Sequence, residues 1–312
     1  MTNDIKVLNG LTAISPAITI WSGKRKMLAT DYGVNTDELP PSEIMDFGTK
    51  KLCPSEKMRV FLTLKARCIA LLDRHGIRFI ASSWLVPKEM VKDITADLEG
   101  LKQEFLTEKA AFLASYDATV QDWIARHPQW AEMLARAVPS ADYVSSKLSF
   151  DWKSFRFSMT KDSNIADDVT HLADSVFTDI ARQAAEAHRN IFADREQITR
   201  RALSPLKVME TKLAGLAFIE PRVGHAAELI RTELEELPAR GVIHGRELSR
   251  LLALVCLLKN PEALEDFTSR MTEGQNVKTL LAGLHAPEPV SVPVLGSGLI
   301  NCQKGKKFLL SA

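Results

Sequence analysis

The spacing Asp168-x-x-His171-x-x-Asp174 is the arrangement in this chain most typical of a metal site. Residues three apart lie on one side of a helix, so an imidazole and two carboxylates would face the same way. A metal centre usually draws further ligands from a second element, and the sequence has no HExxH, ExxH or Cys/His cluster to supply them. We therefore predict a solvated helix face, because the same periodicity buries Leu172 and Val176.

Cys68 is the candidate nucleophile, placed on a predicted helix between Arg67 and Ile69. A reactive thiolate needs a neighbouring base or cation, and no histidine has a spacing that favours this role. We interpret Cys68 as a core residue. The sequence also lacks GxxxxGK[ST], GxGxxG and GxSxG, the marks of phosphate loops, dinucleotide sites and hydrolase elbows. We therefore expect no enzymatic activity, no cofactor and no metal.

Basic residues cluster at three places in a chain that is otherwise balanced, with 40 basic and 39 acidic residues. The segment Trp21–Lys26 resembles an anion-binding turn, but a basic surface turn is the favoured interpretation. Arg195, Arg200 and Arg201 form a second cluster. Base-stacking aromatic residues do not interleave with either cluster, so nucleic-acid binding is only the alternative hypothesis.

The third cluster lies near the end of the sequence and combines cations with apolar residues. This composition suits a docking peptide, although a terminal strand packed on the chain's own sheet is an equal alternative. Its residues are Lys304, Lys306, Lys307, Phe308 and Leu309.

Composition and apolar runs place the chain among globular cytoplasmic proteins. Hydrophobic residues make up 46% of the 312 residues, which is enough for a sizeable core. The longest apolar run, Leu251–Leu258, is far shorter than the roughly 20 residues that span a bilayer. The N-terminus MTNDIKVLNG predicts no signal peptide. Four scattered cysteines fit reduced thiols, and we expect no membrane insertion and no disulfide.

Two long amphipathic stretches make up most of the predicted secondary structure that would position these residues. They are Lys88–His127 and Ser163–Arg201. Apolar residues recur in both at steps of three, four or seven, which predicts helices on the order of 60 Å long. We expect the two to pair antiparallel in the manner of a coiled coil. The predicted fold is mainly α (α+β).

Four regions follow from the breaks between these elements. Residues 1–86 form a small α/β unit, 87–203 the long helices, 204–272 a bundle of short helices and 273–312 a flexible tail. Within the first unit a helix ends at Gly76, and Ile77–Val86 forms a strand. A further strand over 149–159 could pair with the N-terminal strands.

The bend that closes the first long stretch is the second candidate partner surface. Pro128 opens a short helix that Pro139 ends, and Trp123, Trp130 and Met133 gather around it. Tryptophan and methionine are common in buried turns and also at binding hot spots. We favour the core interpretation over an exposed anchor.

Several segments together resemble a bacterial family catalogued as domain of unknown function 3150. The resemblance covers residues 5 to 271 and rests on LNGLTAISPAITIWSGKRKM, RVFLTLKARCIALLDRHGIRF, AFLASYDATVQDWIARHPQWAEMLARAVPSADYV and LSPLKVMETKLAGLAFIEPRV. The family has no catalytic motif to carry over. The resemblance implies companions: a MoxR-type or cobaltochelatase-like AAA+ ATPase and a von Willebrand A domain protein, often on mobile elements.

We therefore expect an interaction or adaptor component of such a system. The chain has neither a Walker motif nor the DxSxS motif of a metal-ion-dependent adhesion site, so it would be the third, non-ATPase member. The alternative is a nucleic-acid-binding accessory factor of a mobile element.

Overall fold

The computed structural model describes residues 7, 9–32, 44–156 and 171–285. Eight strands occur in these ranges, and all their pairings are antiparallel. They are β1 (Leu11–Thr19), β2 (Lys24–Lys26), β3 (Thr49–Lys51), β4 (Ile77–Phe79), β5 (Ser83–Pro87), β6 (Ser149–Phe155), β7 (Gln197–Thr199) and β8 (Val242–His244).

Helices make up most of the described chain, which confirms the predicted mainly α fold with a small antiparallel sheet. The α-helices are α1 (Glu56–His75), α2 (Val91–Ala114), α3 (Tyr116–Ala125), α4 (Ala131–Ala137), α5 (Ala141–Ser146), α6 (Leu172–Ala187), α7 (Ser204–Gly215), α8 (Pro221–Glu235), α9 (Gly245–Leu258), α10 (Pro261–Thr272) and α11 (Val277–His285).

A four-stranded sheet of order β4-β5-β1-β6 separates two hydrophobic cores. Successive side chains of a strand point to opposite faces, and β1 follows this rule. Leu11 and Ala13 belong to one core, whereas Ile14 belongs to the other. Both faces of the sheet are therefore covered, with α1 and α2 on one side and the C-terminal helices on the other.

The core on the side of α1 and α2 is rich in aromatic side chains. Phe61 and Phe105 meet edge to face with ring centroids 5.0 Å apart, and Trp21 lies 5.8 Å from Tyr116. Such offset and edge contacts add to the gain from burial. The hydroxyl of Tyr116 donates to Pro139 O at 2.9 Å, and burial raises the pKa of this tyrosine to about 12.

The core on the other side is built from α6 to α11 and is mainly aliphatic. The dipeptides Ser204-Pro205, Glu220-Pro221 and Asn260-Pro261 predict helix starts, and α7, α8 and α10 begin there. Asn260 caps α10, because its side chain accepts a hydrogen bond from Ala263 N at 3.2 Å. The local signals of proline and a capping side chain therefore located these helices correctly.

The predicted antiparallel pair of long helices is wrong. In the first stretch, α2 and α3 form a nearly continuous helix broken at Ser115, whose hydroxyl donates to carbonyls of the preceding turn. α2 packs on α1 and β6, whereas α6 packs on α9, α10 and α7. The two helices bury their apolar faces in different cores, on opposite sides of the sheet.

The second predicted long helix, Ser163–Arg201, is also much shorter in the structure. Its described part is α6, followed by a π-helical segment, His188–Phe192, and then by β7. Asp194 has φ of 56° and turns the chain, and Ile198 then pairs with Ile243 of β8. A distant strand partner overrides the helical periodicity here. Residues 163–170 lie outside the described ranges.

Three smaller expectations also need correction. Residues 77–86 form a hairpin of β4 and β5 around a 3-10 turn, with φ of 56° at Ser82, instead of one strand. Pro87, which we expected at the first helical position, ends β5 and is instead the N-cap of a 3-10 turn, Lys88–Met90, that leads into α2. Part of the predicted tail is the helix α11, which buries Leu280 and Leu281. The strand expected near 149–159 ends at Phe155 and does pair with β1.

Lys212 joins the two halves of the molecule at the edge of the sheet. Its ammonium group, which is fully buried, donates to Asp73 O of α1 at 2.7 Å and to the Asp179 carboxylate of α6. Asp73 O is among the last carbonyls of α1, which have no partner within the helix. Desolvation outweighs both aspartates and lowers the pKa of Lys212. The lysine thus closes a helix end and links α1, α6 and α7.

Candidate protein-interaction groove

The bend at Trp123, Trp130 and Met133 lies at the surface, so the favoured core interpretation is wrong for Trp130 and correct only in part for Trp123 and Met133. The segment Pro128–Trp130 is a 3-10 turn between α3 and α4, and the Trp130 side chain is 46% exposed. Trp123 and Met133 are half-buried and pack on the aromatic core from one side. Their other sides line a cavity of about 470 Å³. We call this cavity the aromatic groove.

The opposite wall of the aromatic groove comes from β3 of the two-stranded β2–β3 ribbon and from the segment that follows β2. Met27, Tyr32 and Lys51 line it there. The indole N–H of Trp123 donates to Lys51 O at 3.1 Å and joins the two walls. The His127 ring packs on Trp123 with centroids 4.4 Å apart. These contacts hold the groove in a defined shape before any ligand binds, which lowers the entropy cost of binding.

An ion pair supports the ribbon behind the groove. Lys50 is buried, and its ammonium group donates to Asp31 at 2.6 Å. This hydrogen bond from Lys50 holds the pKa of Asp31 below its usual value. Asp31 also accepts from Leu28 N, which fixes the turn that carries Tyr32. The pair therefore positions one wall of the groove.

Large apolar side chains stay exposed in the groove wall and in the chain segments next to it in sequence. Tyr32 is 53% exposed, and its ring contacts Phe47 at a centroid distance of 5.8 Å. Leu28 and Ile44, close in sequence to Tyr32 and Phe47, are also exposed. Clustered exposed apolar groups mark interaction sites, and tryptophan is enriched among binding hot spots. The arrangement can hold an apolar side chain, with the exposed Lys51 at its rim.

The remaining predicted site residues do not gather into a second site within the described ranges. Lys304, Lys306, Lys307, Phe308 and Leu309 lie outside these ranges, as does Asp168. His171 Nδ1 lies 3.1 Å from Asp174 Oδ2, and both side chains are exposed. The described residues contain no group of three or more potential metal ligands.

Cys68 is a core residue, as predicted. It is fully buried, and this burial raises the pKa of its thiol to about 11. Such a thiol is protonated at neutral pH and is a poor nucleophile.

The second wall of the groove was missed from the sequence. Met27 and Tyr32 are about a hundred positions from the bend, and no periodicity connects them to it. The available signal was an aromatic residue in a turn that is otherwise rich in Gly and Pro.

Among the described helices, none is both long enough and apolar enough to cross a bilayer. No curated protein and no solved structure matches the chain. The family described as "Protein of unknown function (DUF3150)" matches residues 8–260, which include the sheet, the aromatic groove and most of the C-terminal helices. The chain therefore belongs to the DUF3150 family.

Proposed function

We propose that this protein is a non-catalytic adaptor in a bacterial system that contains a MoxR-type or cobaltochelatase-like AAA+ ATPase and a von Willebrand A domain protein. The system acts in the cytoplasm and is associated with mobile elements. The observation that carries the proposal is the aromatic groove, a preformed apolar site at which Trp130 and Tyr32 stay half-exposed. The resemblance to the family supplies the two companions.

The groove suits an apolar side chain carried by a partner helix or loop. Its floor is the half-buried side chains of Trp123 and Met133, and its rim carries Lys51. An apolar anchor would displace water from the floor, and an acidic residue beside that anchor would meet the rim lysine. The partner segment that we expect is therefore apolar with flanking acidic residues.

Co-expression of the full chain with both companions tests the proposal. We expect the tagged chain to retain the ATPase or the von Willebrand A protein, and Trp130→Ala to abolish retention. Leu62→Ala is the matched control, because Leu62 is 57% exposed on α1 and does not line the groove. Failure of the unmodified chain to retain either companion, with and without nucleotide, would refute the proposal.

The predicted docking residues near the end of the sequence form a second arm of the same experiment. Deletion of residues 303–312 removes Lys304, Phe308 and their neighbours, which lie outside the described part of the chain. If the groove makes the contact, this deletion leaves retention unchanged. Loss of retention on deletion, combined with full retention by Trp130→Ala, would move the contact from the groove to the tail.

A further inference from the structure

The ribbon of β2 and β3 concentrates positive charge without balancing it. Its register places Lys24 opposite Lys51 and Arg25 opposite Lys50. Like charges directly opposite each other destabilise an antiparallel pair. Only Lys50 is neutralised by a carboxylate within the described ranges, through Asp31. The Lys24–Lys51 pair is therefore left unbalanced, and an anionic ligand would relieve its repulsion.

A second cavity, of about 620 Å³, opens beside this ribbon and shares no lining residue with the aromatic groove. We call it the basic groove. Lys24 and Arg25 line one wall, and Tyr143 and Lys147 of the α5 region line the other. Arg25 is held in place, because its guanidinium donates to Ala137 O at 3.1 Å. Cations therefore flank the groove on both sides.

The floor and one wall of the basic groove are apolar and aromatic. Ile20, Leu52 and Pro139 contribute to the lining. The Tyr143 ring is 50% exposed, and the ammonium group of Lys147 lies 5.5 Å from its centroid. Proteins that bind single strands combine cations along the backbone path with aromatic rings on which bases stack. The folded chain brings together this combination, which the sequence separates by more than a hundred residues.

The chemistry of the groove distinguishes three classes of anionic partner. A duplex keeps its bases stacked, so it would use the cations and leave Tyr143 without a role. A peptide made only of acidic residues would likewise leave the ring and the apolar floor unused. An unpaired nucleotide uses all three features, because its phosphate meets the lysines and its base stacks on the ring.

We propose that the basic groove binds single-stranded nucleic acid, with Lys24 and Lys147 contacting phosphates and Tyr143 stacking on a base. This site goes beyond the adaptor function and does not depend on it. The aromatic groove and the basic groove have no lining residue in common, so a protein partner and a nucleic-acid strand would contact different side chains.

Fluorescence anisotropy with the full chain tests the site. The probes are labelled oligo(dT) and oligo(rU) of about 16 nucleotides, which distinguish DNA from RNA. Affinity should fall steeply between about 50 and 200 mM salt. The Lys24→Gln/Lys147→Gln variant should lower the slope of log K against log salt by about 1.4, since each phosphate contact on a single strand contributes about 0.7.

The aromatic contact has its own variant and control. Tyr143→Leu should raise Kd roughly five- to a hundredfold with an unchanged salt slope, whereas Tyr143→Phe should keep most of the affinity. Lys207→Gln, an exposed lysine on α7 away from both grooves, should have no effect.

Four results would overturn the inference. The first is no binding of either oligonucleotide at low salt, and the second is an unchanged salt slope in the double lysine variant. The third is full affinity in Tyr143→Leu. The fourth is equal or tighter binding of duplex DNA or of polyglutamate, which would assign the cations to a different anion. None of these results bears on retention of the protein companions.

Discussion

Replacement of Lys212 by methionine should destabilise the protein strongly. The side chain is fully buried and links Asp73 O at the end of α1 to the Asp179 carboxylate of α6. Removing one partner of a buried ion pair typically costs about 3–5 kcal/mol, because the other charge stays buried. Asp179 retains hydrogen bonds from Arg182 and Gln183, so we expect the lower end, about 3 kcal/mol.

Urea denaturation followed by circular dichroism measures this loss, with an unchanged m-value if the unfolding transition is otherwise the same. The Lys212→Met/Asp179→Leu double variant should recover part of the stability, since no unpaired carboxylate remains. Lys207→Met on the exposed side of the same helix is the control. A loss below about 1 kcal/mol in Lys212→Met, or one equal to that of Lys207→Met, would refute the proposed role of the lysine.

Four further predictions test local features of the fold. Gly76→Ala should destabilise by about 1–3 kcal/mol in urea melts, because its methyl group would lie 2.7 Å from a side chain and 2.8 Å from a carbonyl of β5. Gly100→Ala in the exposed interior of α2, where nothing lies within 4 Å, should stabilise by about 0.5–1 kcal/mol. In the native protein Cys256, which is exposed, should react with a thiol reagent while Cys68 reacts only after unfolding; peptide mapping that finds both modified equally fast would contradict this. Burial opposes ionisation of Asp73, yet hydrogen bonds from an arginine and an indole hold the pKa of this carboxyl below its usual value. Asp73→Asn should therefore lower Tm most above pH ~4, where the carboxylate of the parent is charged. The difference in Tm from the parent should vanish as the pH falls through the folded pKa.

Local signals in the sequence predicted most of the helices. Proline and capping residues located α7, α8 and α10, and period-two alternation located β6 and its pairing with β1. These features depend on residues that are close in sequence, or on a strand pattern with one buried face. They could therefore be read without knowledge of the tertiary structure.

Long-range contacts account for the failures. The apolar stripe of α6 resembles that of α2, but a stripe does not specify which helix covers it, and the sheet separates the two. The second stretch stops being helical at β7, because β7 pairs with β8, which lies some 45 residues later in the chain. Burial of Lys212 has no sequence signal, because lysine on a helix is usually solvated.

The sequence predicted one wall of the aromatic groove but not the other, because the second wall depends on long-range contacts. The bend at Trp123, Trp130 and Met133 is visible in the sequence as a cluster of large side chains on both sides of Pro128. The sequence does not show how far these side chains are covered. In the structure the region of the β2–β3 ribbon forms the second wall of the groove, and Trp130 stays partly exposed. Exposure of a tryptophan is a property of the assembled structure.

Titration of the purified full chain with the purified companion proteins tests the central claim most directly. The aromatic groove should bind the AAA+ ATPase or the von Willebrand A protein, and Trp130→Ala should weaken that binding at least about thirtyfold, the loss typical of a hot-spot residue. Leu62→Ala should bind like the unmodified chain, and both variants should keep its Tm. Equal affinities for all three chains, or no binding by the unmodified chain to either companion, would contradict the account.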